Sequence, residues 1–427
     1  MEEKIKGKQG LISVSPMLVF LAVYSSSSII AGDFYAASII VSFLIACLYS
    51  LFIIKDKDIE SRFAILAKGA AKEDIMTMVF IFILAGAFAS TAKQTGAIEA
   101  TVNMTLLFMP IKMMLCGLFI ASCFVSLSIG TSVGTIAALT PIACGIAEKT
   151  GQNLPLLIAV IVGGAYFGDN LSFISDTTIM ATKTQGCRMK DKFRYNLKIA
   201  LPAAIITFIL YLMEGSEVSK VEIAQEINYL LIIPYIYIIV AALCGMNVML
   251  LLSSGTILAG AMGLSLDRLS LTEWSSAMNS GIMGMGELII VTLLAGGIIE
   301  VMRETGGIEY LKTILTQKIK SRTGAEISIA GLVVLTDFCT ANNTIAILTT
   351  GPLAKEISLH YKIDPRRTAS ILDTFSCFAQ SIIPYGAQLL IAGGLASINP
   401  LEVIPYLYYP FILGLYAFLY IFFKHEK

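Results

Sequence analysis

Apolar residues occur in long runs along the chain, separated by short polar stretches. Two of the runs are FYAASIIVSFLIACLYSLFII (34–54) and NYLLIIPYIYIIVAALC (228–244). About 20 such residues cross the hydrocarbon core of a bilayer as a helix, because a helix satisfies its own backbone hydrogen bonds. The alternating pattern of a membrane β-barrel is not visible in the sequence. The pattern therefore predicts an all-α polytopic membrane protein.

The same runs place the predicted helices, two of which are interrupted by polar residues. They cover 11–30, 34–54, 75–92, 111–128, 132–147, 154–182 (interrupted), 195–213, 227–244, 246–264, 276–302, 326–338, 342–357, 366–396 (interrupted) and 402–423. Composition agrees, since 56% of the 427 residues are apolar, 14% are charged and the mean hydropathy is +0.80. The first run is long and lacks a clear cleavage site, so we expect an uncleaved helix rather than a signal peptide.

Basic residues predict the orientation of these helices. Lys and Arg concentrate in alternate loops, and cytoplasmic loops are the ones that carry such an excess. With the N-terminus inside, the exceptions are Lys93, Lys112, Lys149, Lys220 and Arg268. We therefore expect a multi-pass protein of the cell inner (plasma) membrane with both termini cytoplasmic.

An internal repeat divides the chain into two halves. The segment LAGAFASTAKQTGAIEA (84–100) resembles LAGGIIEVMRETGGIEY (294–310), and TIAALT (135–140) resembles TIAILT (344–349). The predicted helices in each half are odd in number, so the second half enters the membrane from the opposite side. We expect a first repeat over 1–213, an extracytoplasmic linker over 214–226 and an inverted repeat over 227–427. Inverted repeats are typical of secondary transporters, although a duplicated structural scaffold would show the same pattern.

Polar interruptions occur at matched places in the two halves. The first half has SLSIGTSVGT (126–135) and then GDNLSFISDTT (168–178), and the second has TDFCTANNT (336–344) and then DTFSCFAQSIIPYG (373–386). Each half is therefore predicted to contain a re-entrant hairpin or tight helix pair, followed by a broken helix. Broken backbone at membrane depth is tolerated where it lines a cavity or is buried in protein. The interruptions thus predict the transport site.

Asp169 and Asp176 are the strongest candidates for an ion site. An aspartate within the membrane costs at least about 2.5–3.5 kcal/mol and is functional by default. Burial favours the protonated carboxyl group and an arriving Na+ favours the ionised one, so the two cations would compete for one site. The alternatives are that Asp176 caps a helix and that Asp169 has a structural partner. Asn342 and Asn343 are further candidates that could equally cap a helix.

The motifs GTSVGT and GGAYFGDNLSFISDTT resemble those of the NhaC-type Na+/H+ antiporter family of the ion transporter superfamily. The resemblance extends more loosely to TANN and SILDTFSCFAQSIIPYGA in the second half. It implies secondary antiport driven by ion gradients, most often of Na+ and H+. Carried over to this chain, the motifs imply a site formed by Thr131, Ser132, Thr135, Asp169, Ser172, Ser175, Asp176, Thr177, Asp373 and Thr374. Asn170 is a further candidate for the site, at a position that is often basic or histidine in the family.

Two functions remain open from the sequence. One is Na+/H+ antiport with the proton and a transported Na+ competing at Asp169 and Asp176, and the other is Na+- or H+-coupled transport of a small carboxylate or amino acid. A fixed cation in the pocket would favour the second, and none is expected because every Lys and Arg falls in a loop or at a segment end. An enzyme is disfavoured because no nucleophile–base pair or metal-ligand cluster is visible, and buried acids in inverted repeats disfavour a channel.

The remaining expectations concern cofactors and partners. No cofactor is expected beyond Na+ and H+ as transported ions, and the eight cysteines show no paired spacing that indicates disulfides. The expected partners are membrane lipid and a small cation or small organic solute. No nucleic acid is expected, because no long basic tract occurs. A homodimer is compatible with the sequence.

Overall fold

The computed structural model describes residues 7–31, 38–55, 57–108, 110–172, 175–215, 228–316, 319 and 321–423. All regular elements in these ranges are helical. The first half contains α1 (Gly7–Ala31), α2 (Ile39–Ile53), α3 (Ile59–Ala70), α4 (Glu73–Thr95), α5 (Ala97–Phe108), α6 (Met114–Ile129), α7 (Ser132–Thr150), α8 (Leu154–Leu171), α9 (Asp176–Gln185) and α10 (Met189–Glu214).

The second half repeats this order of helices. It contains α11 (Ile233–Leu243), α12 (Val248–Ser265), α13 (Leu271–Gly284), α14 (Gly286–Glu304), α15 (Gly307–Thr316), α16 (Arg322–Thr340), α17 (Asn343–His360), α18 (Pro365–Ile382), α19 (Ala387–Ala396), α20 (Pro400–Val403) and α21 (Tyr408–Phe423). Both interrupted helices show the same construction: α8 and α9 are separated by residues 172–175, and α18 and α19 by residues 383–386. The predicted linker 214–226 lies mostly outside the described residues, and its boundaries remain a prediction.

Helix length and composition support a membrane-spanning fold. Within the described ranges, seven helical stretches are long and apolar enough to cross a bilayer, or eight if the bent pair formed by α20 and its following turn with α21 is counted. Leu154–Gln185 is the innermost stretch, since 94% of its most apolar window is buried, compared with 39% for Met189–Glu214. The broken helix of the first half therefore lies at the centre of the protein.

Three helices were not predicted, and one predicted helix is divided. Helices α3, α5 and α15 are short, and α3 contains charged residues, so none forms an apolar run of spanning length. The predicted helix 276–302 is interrupted at Met285, between α13 and α14, although the two parts together still form one candidate span, Leu271–Glu304. The helix expected at 195–213 begins earlier, at Met189.

The second part of each broken helix packs against the opposite half. Helix α9 contacts α17 and α18, whereas α19 contacts α7 and α8. The side chain of Gln185 on α9 donates to the carbonyl of Gly351 on α17 at 2.9 Å. Gln388 on α19 donates to the hydroxyl of Ser132 on α7 at 3.0 Å. The two halves therefore exchange helices across the centre of the molecule.

Small residues bring α6 and α8 into close contact. Gly164 and Gly168 on α8 face Ser122 and Ser126 on α6, one helical turn apart on each helix. The serine hydroxyls donate to the α8 carbonyls of Ile161 and Ala165, at 2.6 and 2.5 Å. Small residues of this spacing allow helix backbones to approach closely in membranes. This contact fixes the position of the first helix break relative to the first hairpin.

Candidate functional site

A cavity of about 610 Å³ lies between the two helix breaks and the tips of two hairpins. One hairpin is formed by α6 and α7, and the other by α16 and α17. It extends from Glu73, which is exposed at the start of α4, to Asp169 near the end of α8. Eight of the predicted site residues line it: Thr131, Ser132, Asp169, Ser175, Asp176, Thr177, Asn342 and Asn343. The structure thus brings residues from both halves to one cavity.

The other five predicted residues do not line this cavity: Thr135, Asn170, Ser172, Asp373 and Thr374. The hydroxyls of Thr135 and Ser172 donate to the carbonyls of Thr131 and Leu127, at 3.1 and 2.9 Å. Thr374 lines a separate small cleft beside α21. The hydroxyls of Thr135 and Ser172 thus bond to the backbone near the start of α7 and the end of α6.

The two aspartates differ in their surroundings. Asp169 is only 3% exposed, and its Oδ1 accepts a hydrogen bond from the backbone amide of Ser132 at 3.0 Å. Asp176 is the first residue of α9 and its side chain is exposed. Both carboxylates were expected to be buried, and this is wrong for Asp176. The reason is that Asp176 is the first residue of a helix that begins at the break, where its side chain faces the cavity.

A chain of hydrogen bonds joins the two halves beside Asp169. The amide of Gln388 donates to the hydroxyl of Ser132 at 3.0 Å, and Gln380 donates to Oε1 of Gln388 at 2.9 Å. Gln380 also donates to the carbonyl of Ala341, in the tip of the second hairpin, at 2.9 Å. Neither glutamine was predicted. Gln380 is the sixteenth residue of α18, as Asp169 is of α8, so the two helices place these side chains at equivalent positions. The sequence repeat does not reveal this equivalence, because its shifts of 210 and 209 residues align Asp169 with Ala379 or Phe378.

Helix ends supply much of the cavity wall. The first residues of α7, α9 and α17 line it, and so does Gln388, the second residue of α19. Asn342 is the N-cap of α17, accepting from the amide of Ile345 at 3.1 Å, as one of its two predicted alternatives proposed. Helix N-termini carry partial positive charge and free backbone amides, whereas the carboxylates of Asp169 and Asp176 in the same wall are acceptors. The wall therefore offers both donors and acceptors.

A buried lysine lies beside the site, although every Lys and Arg was expected in a loop or at a segment end. It does not line the cavity. Lys192 is 1% exposed, and its Nζ lies 2.7 Å from Oδ2 of Asp373, which is fully buried. Lys192 also donates to the carbonyl of Asn170 at 3.0 Å and to the hydroxyl of Thr178 at 2.7 Å. Asn196 donates to the same Asp373 oxygen at 2.6 Å. The first turn of α10 packs against the break between α8 and α9. Lys192 is therefore buried, although the sequence around it is typical of a basic loop.

Other acidic residues of the membrane region take different positions. Asp337, near the end of α16, is fully buried. Glu287 is exposed at the start of α14 and lines another cavity. Four residues of α4 were not predicted for the site, although they line its cavity: Glu73, Thr77, Met78 and Ile81. Their spacing of three to four residues is that of one helix face, which a motif search does not detect.

Comparisons with known proteins find sequences of antiporters that are similar to this chain. The "Malate-2H(+)/Na(+)-lactate antiporter" of Bacillus subtilis (strain 168) is 21% identical over 367 residues, covering 78% of each chain. The "Na(+)/H(+) antiporter NhaC" of the same organism is 22% identical over 378 residues, covering 80% of this chain and 82% of the relative. Among solved structures, the Alcanivorax borkumensis YdaH transporter aligns with a TM-score of 0.47 and 11% identity over 90% of this chain and 97% of that one.

The family comparison covers nearly the whole chain. The sequence pattern of the Na+/H+ antiporter family matches it twice, over residues 9–216 and again over residues 213–425. The double match agrees with the two halves seen in the order of the helices. The chain therefore belongs to the Na+/H+ antiporter family, as a multi-pass membrane protein of the secondary antiporter class.

Proposed function

We propose that this antiporter exchanges Na+ for H+, with the two cations competing for Asp169 and Asp176. The observation that carries the proposal is the charge of the cavity wall. Three acids line it, namely Glu73, Asp169 and Asp176, and no Lys or Arg is among the described lining residues. Lys192 lies outside the wall, and its charge is compensated by Asp373. A cavity with this balance favours a cation over an anion.

The arrangement around Asp169 suits exchange at a single carboxylate. The amide of Ser132 stabilises the ionised form, whereas enclosure in protein stabilises the protonated form. Oxygen ligands for Na+ are close by, in the hydroxyls of Thr131, Ser175 and Thr177. A Na+ ion that reaches the carboxylate would displace the proton, which couples the two movements at one place.

A second candidate function is exchange of a small carboxylate or amino acid, coupled to Na+ or H+. The observation that favours it is the meeting of four helix N-termini at a cavity of about 610 Å³, which is larger than one cation needs. Helix N-termini bind carboxylates through their free amides. The sequence relatives include antiporters described for either kind of cargo, so relatedness alone does not separate the two functions.

The test is proton movement in proteoliposomes upon addition of Na+, with K+ and Li+ as controls. We expect a saturable, Na+-dependent change in internal pH that the substitution Asp169→Asn abolishes. Asparagine keeps the shape of the side chain and can still accept from the Ser132 amide, so the loss would report the missing charge. Asp176→Asn is expected to weaken the response as well.

Asp267→Asn is the matched control for these substitutions. Asp267 is exposed in the turn after α12 and has a positive φ of 50°, a conformation that asparagine also adopts readily. The Asp267→Asn substitution should leave the Na+-dependent change in pH unchanged. Full Na+-dependent proton movement in Asp169→Asn would reject the assigned site. A response that requires malate, lactate or an amino acid would instead favour the second candidate function.

A further inference from the structure

A second cavity, of about 510 Å³, lies beside the first part of α14. Glu287, Leu288 and Val291 of α14 line it, together with Leu390, Gly393 and Gly394 of α19. Ser38, Asn399 and Pro400, which lie at the starts of α2 and α20, complete part of its wall. Glu287 is exposed, whereas Leu288 and Val291 are buried. The cavity thus has a carboxylate at its surface end and two apolar side chains of α14 at its buried end.

The internal repeat relates this cavity to the site cavity. The segments 84–100 and 294–310 are related by a shift of 210 residues, and the same shift extended to the preceding residues relates Glu287, Leu288 and Val291 to Thr77, Met78 and Ile81. Those three residues of α4 line the site cavity. The same helix face is therefore used in both halves, in one case for the cavity that contains Asp169 and in the other for the second cavity.

The two cavities open at opposite ends of the helices. Glu73 at the mouth of the site cavity follows Lys72, which forms an ion pair with Glu300 near the end of α14. Glu287 lies at the start of α14, thirteen residues from Glu300, which corresponds to about 20 Å along a helix. Access to the second cavity is therefore from the face of the protein opposite to Glu73.

The contact between α14 and α19 lies in the wall of the second cavity. On α19, Gln388 lines the site cavity, whereas Leu390 and Gly394 line the second one. A Cβ atom at Gly394 would overlap the Cδ1 atom of Leu288, and it would lie 3.2 Å from Sδ of Met285. Leu288 therefore packs directly against the backbone of α19 at Gly394, and a larger residue there would require the Leu288 side chain to move.

We infer that the second cavity is the access route to Asp169 from the opposite face, that the contact of Leu288 with Gly394 closes it, and that Glu287 draws cations to its mouth. The inference rests on the proposed transport function and adds the path by which the cation reaches the site from the second side. In the alternate conformation α14 moves away from α19, and the face of α4 closes over the site cavity in its place.

The test compares the reactivity of two introduced cysteines. Thr344→Cys places a thiol in the site cavity and Glu287→Cys places one in the second cavity. A membrane-impermeant methanethiosulfonate reagent is added to right-side-out and to inside-out vesicles. Mass spectrometry identifies which residue is modified, so the eight native cysteines do not have to be replaced. We expect the two thiols to react in vesicles of opposite orientation.

Gly394→Val tests the barrier itself. The added side chain collides with Leu288 in the closed contact, so the population should shift and slow the labelling of Thr344→Cys about tenfold. Glu287→Cys should still react, which shows that the protein is folded. Leu288→Ala combined with Gly394→Val removes the collision and should restore the labelling rate, and Met78→Ala combined with Gly394→Val should not.

Two results would overturn the inference. One is labelling of both cysteines from the same face, and the other is an unchanged rate for Thr344→Cys in the Gly394→Val protein. Labelling requires no transport, so it is decided separately from the Na+-dependent proton movement. If the labelling is as expected but Na+ causes no proton movement, the access route is supported and Na+ is rejected as the transported ion.

Discussion

Lys192 shows that the role of a charged residue depends on its fold environment more than on its neighbours in sequence. It stands in the basic segment CRMKDKFR, which indicates a cytoplasmic loop. In the structure it is enclosed and joins three elements, by contacts to the last turn of α8, to the first turn of α9 and to Asp373 on α18. A buried ion pair of this kind is costly to form and more costly to break, because one charge is then left alone.

We predict that Lys192→Met destabilises the protein strongly. Removing one partner of a buried ion pair costs about 3–5 kcal/mol, and Asp373 would remain buried with the neutral donors Asn196 and Thr177 in place of a charged one. The measurement is thermal unfolding of the purified protein in detergent. The double substitution Lys192→Met with Asp373→Asn removes both charges and should recover most of the lost stability.

Lys190→Met is the control for this prediction, since Lys190 is exposed two residues earlier in the same helix. It should unfold at the temperature of the unmodified protein. If Lys192→Met were as stable as Lys190→Met, the pair with Asp373 would not hold the helix break in place.

At the scale of helices, the contact of α6 with α8 determines where the first break lies. We predict that Gly168→Ala destabilises the protein by about 1–3 kcal/mol, the usual cost of overpacking. A Cβ atom at Gly168 would overlap the side chain of Ser126 and lie 2.6 Å from its backbone carbonyl carbon, and backbone cannot move aside as a flexible side chain can. Thermal unfolding in detergent measures the change.

Gly286→Ala provides the comparison for this prediction. An added Cβ atom there has no neighbour within 4 Å among the described residues, so the substitution should have little effect. Equal stability of the Gly168→Ala and Gly286→Ala proteins would mean that α6 and α8 do not require close approach.

The interruptions of the helices could be predicted from sequence, whereas part of the site could not. Asp169, Ser175 and Asp176 stand out because polar residues are rare within apolar runs. Gln380 and Gln388 are also polar residues in such a run, but neither is charged. Nothing local indicates that Gln388 donates to Ser132 of the other half or that Gln380 donates to Gln388. Helices α3, α5 and α15 were missed because they are short, and their burial depends on neighbours distant in sequence.

At the scale of the whole molecule, the charge distribution predicts an orientation that can be measured. A green fluorescent protein fused after Lys427 should fluoresce, because this protein matures in the cytoplasm, and alkaline phosphatase at the same place should be inactive. Phosphatase fused after Gly215 should be active, because the segment that follows is predicted to lie outside. The reverse activities would show that the chain is inserted upside down and would contradict the predicted distribution of Lys and Arg.

The exchange of α9 and α19 between the halves has a consequence for synthesis of the chain. When only the first half has left the ribosome, α9 lacks α17 and α18, and Lys192 lacks Asp373. Helices insert into the membrane before they pack together, so this nascent half must wait there with an uncompensated charge and a broken helix exposed. Packing of the first half is therefore completed only after α18 has been synthesised. A chain that terminates before α18 would leave these polar groups unpaired in the membrane, where we expect it to be degraded.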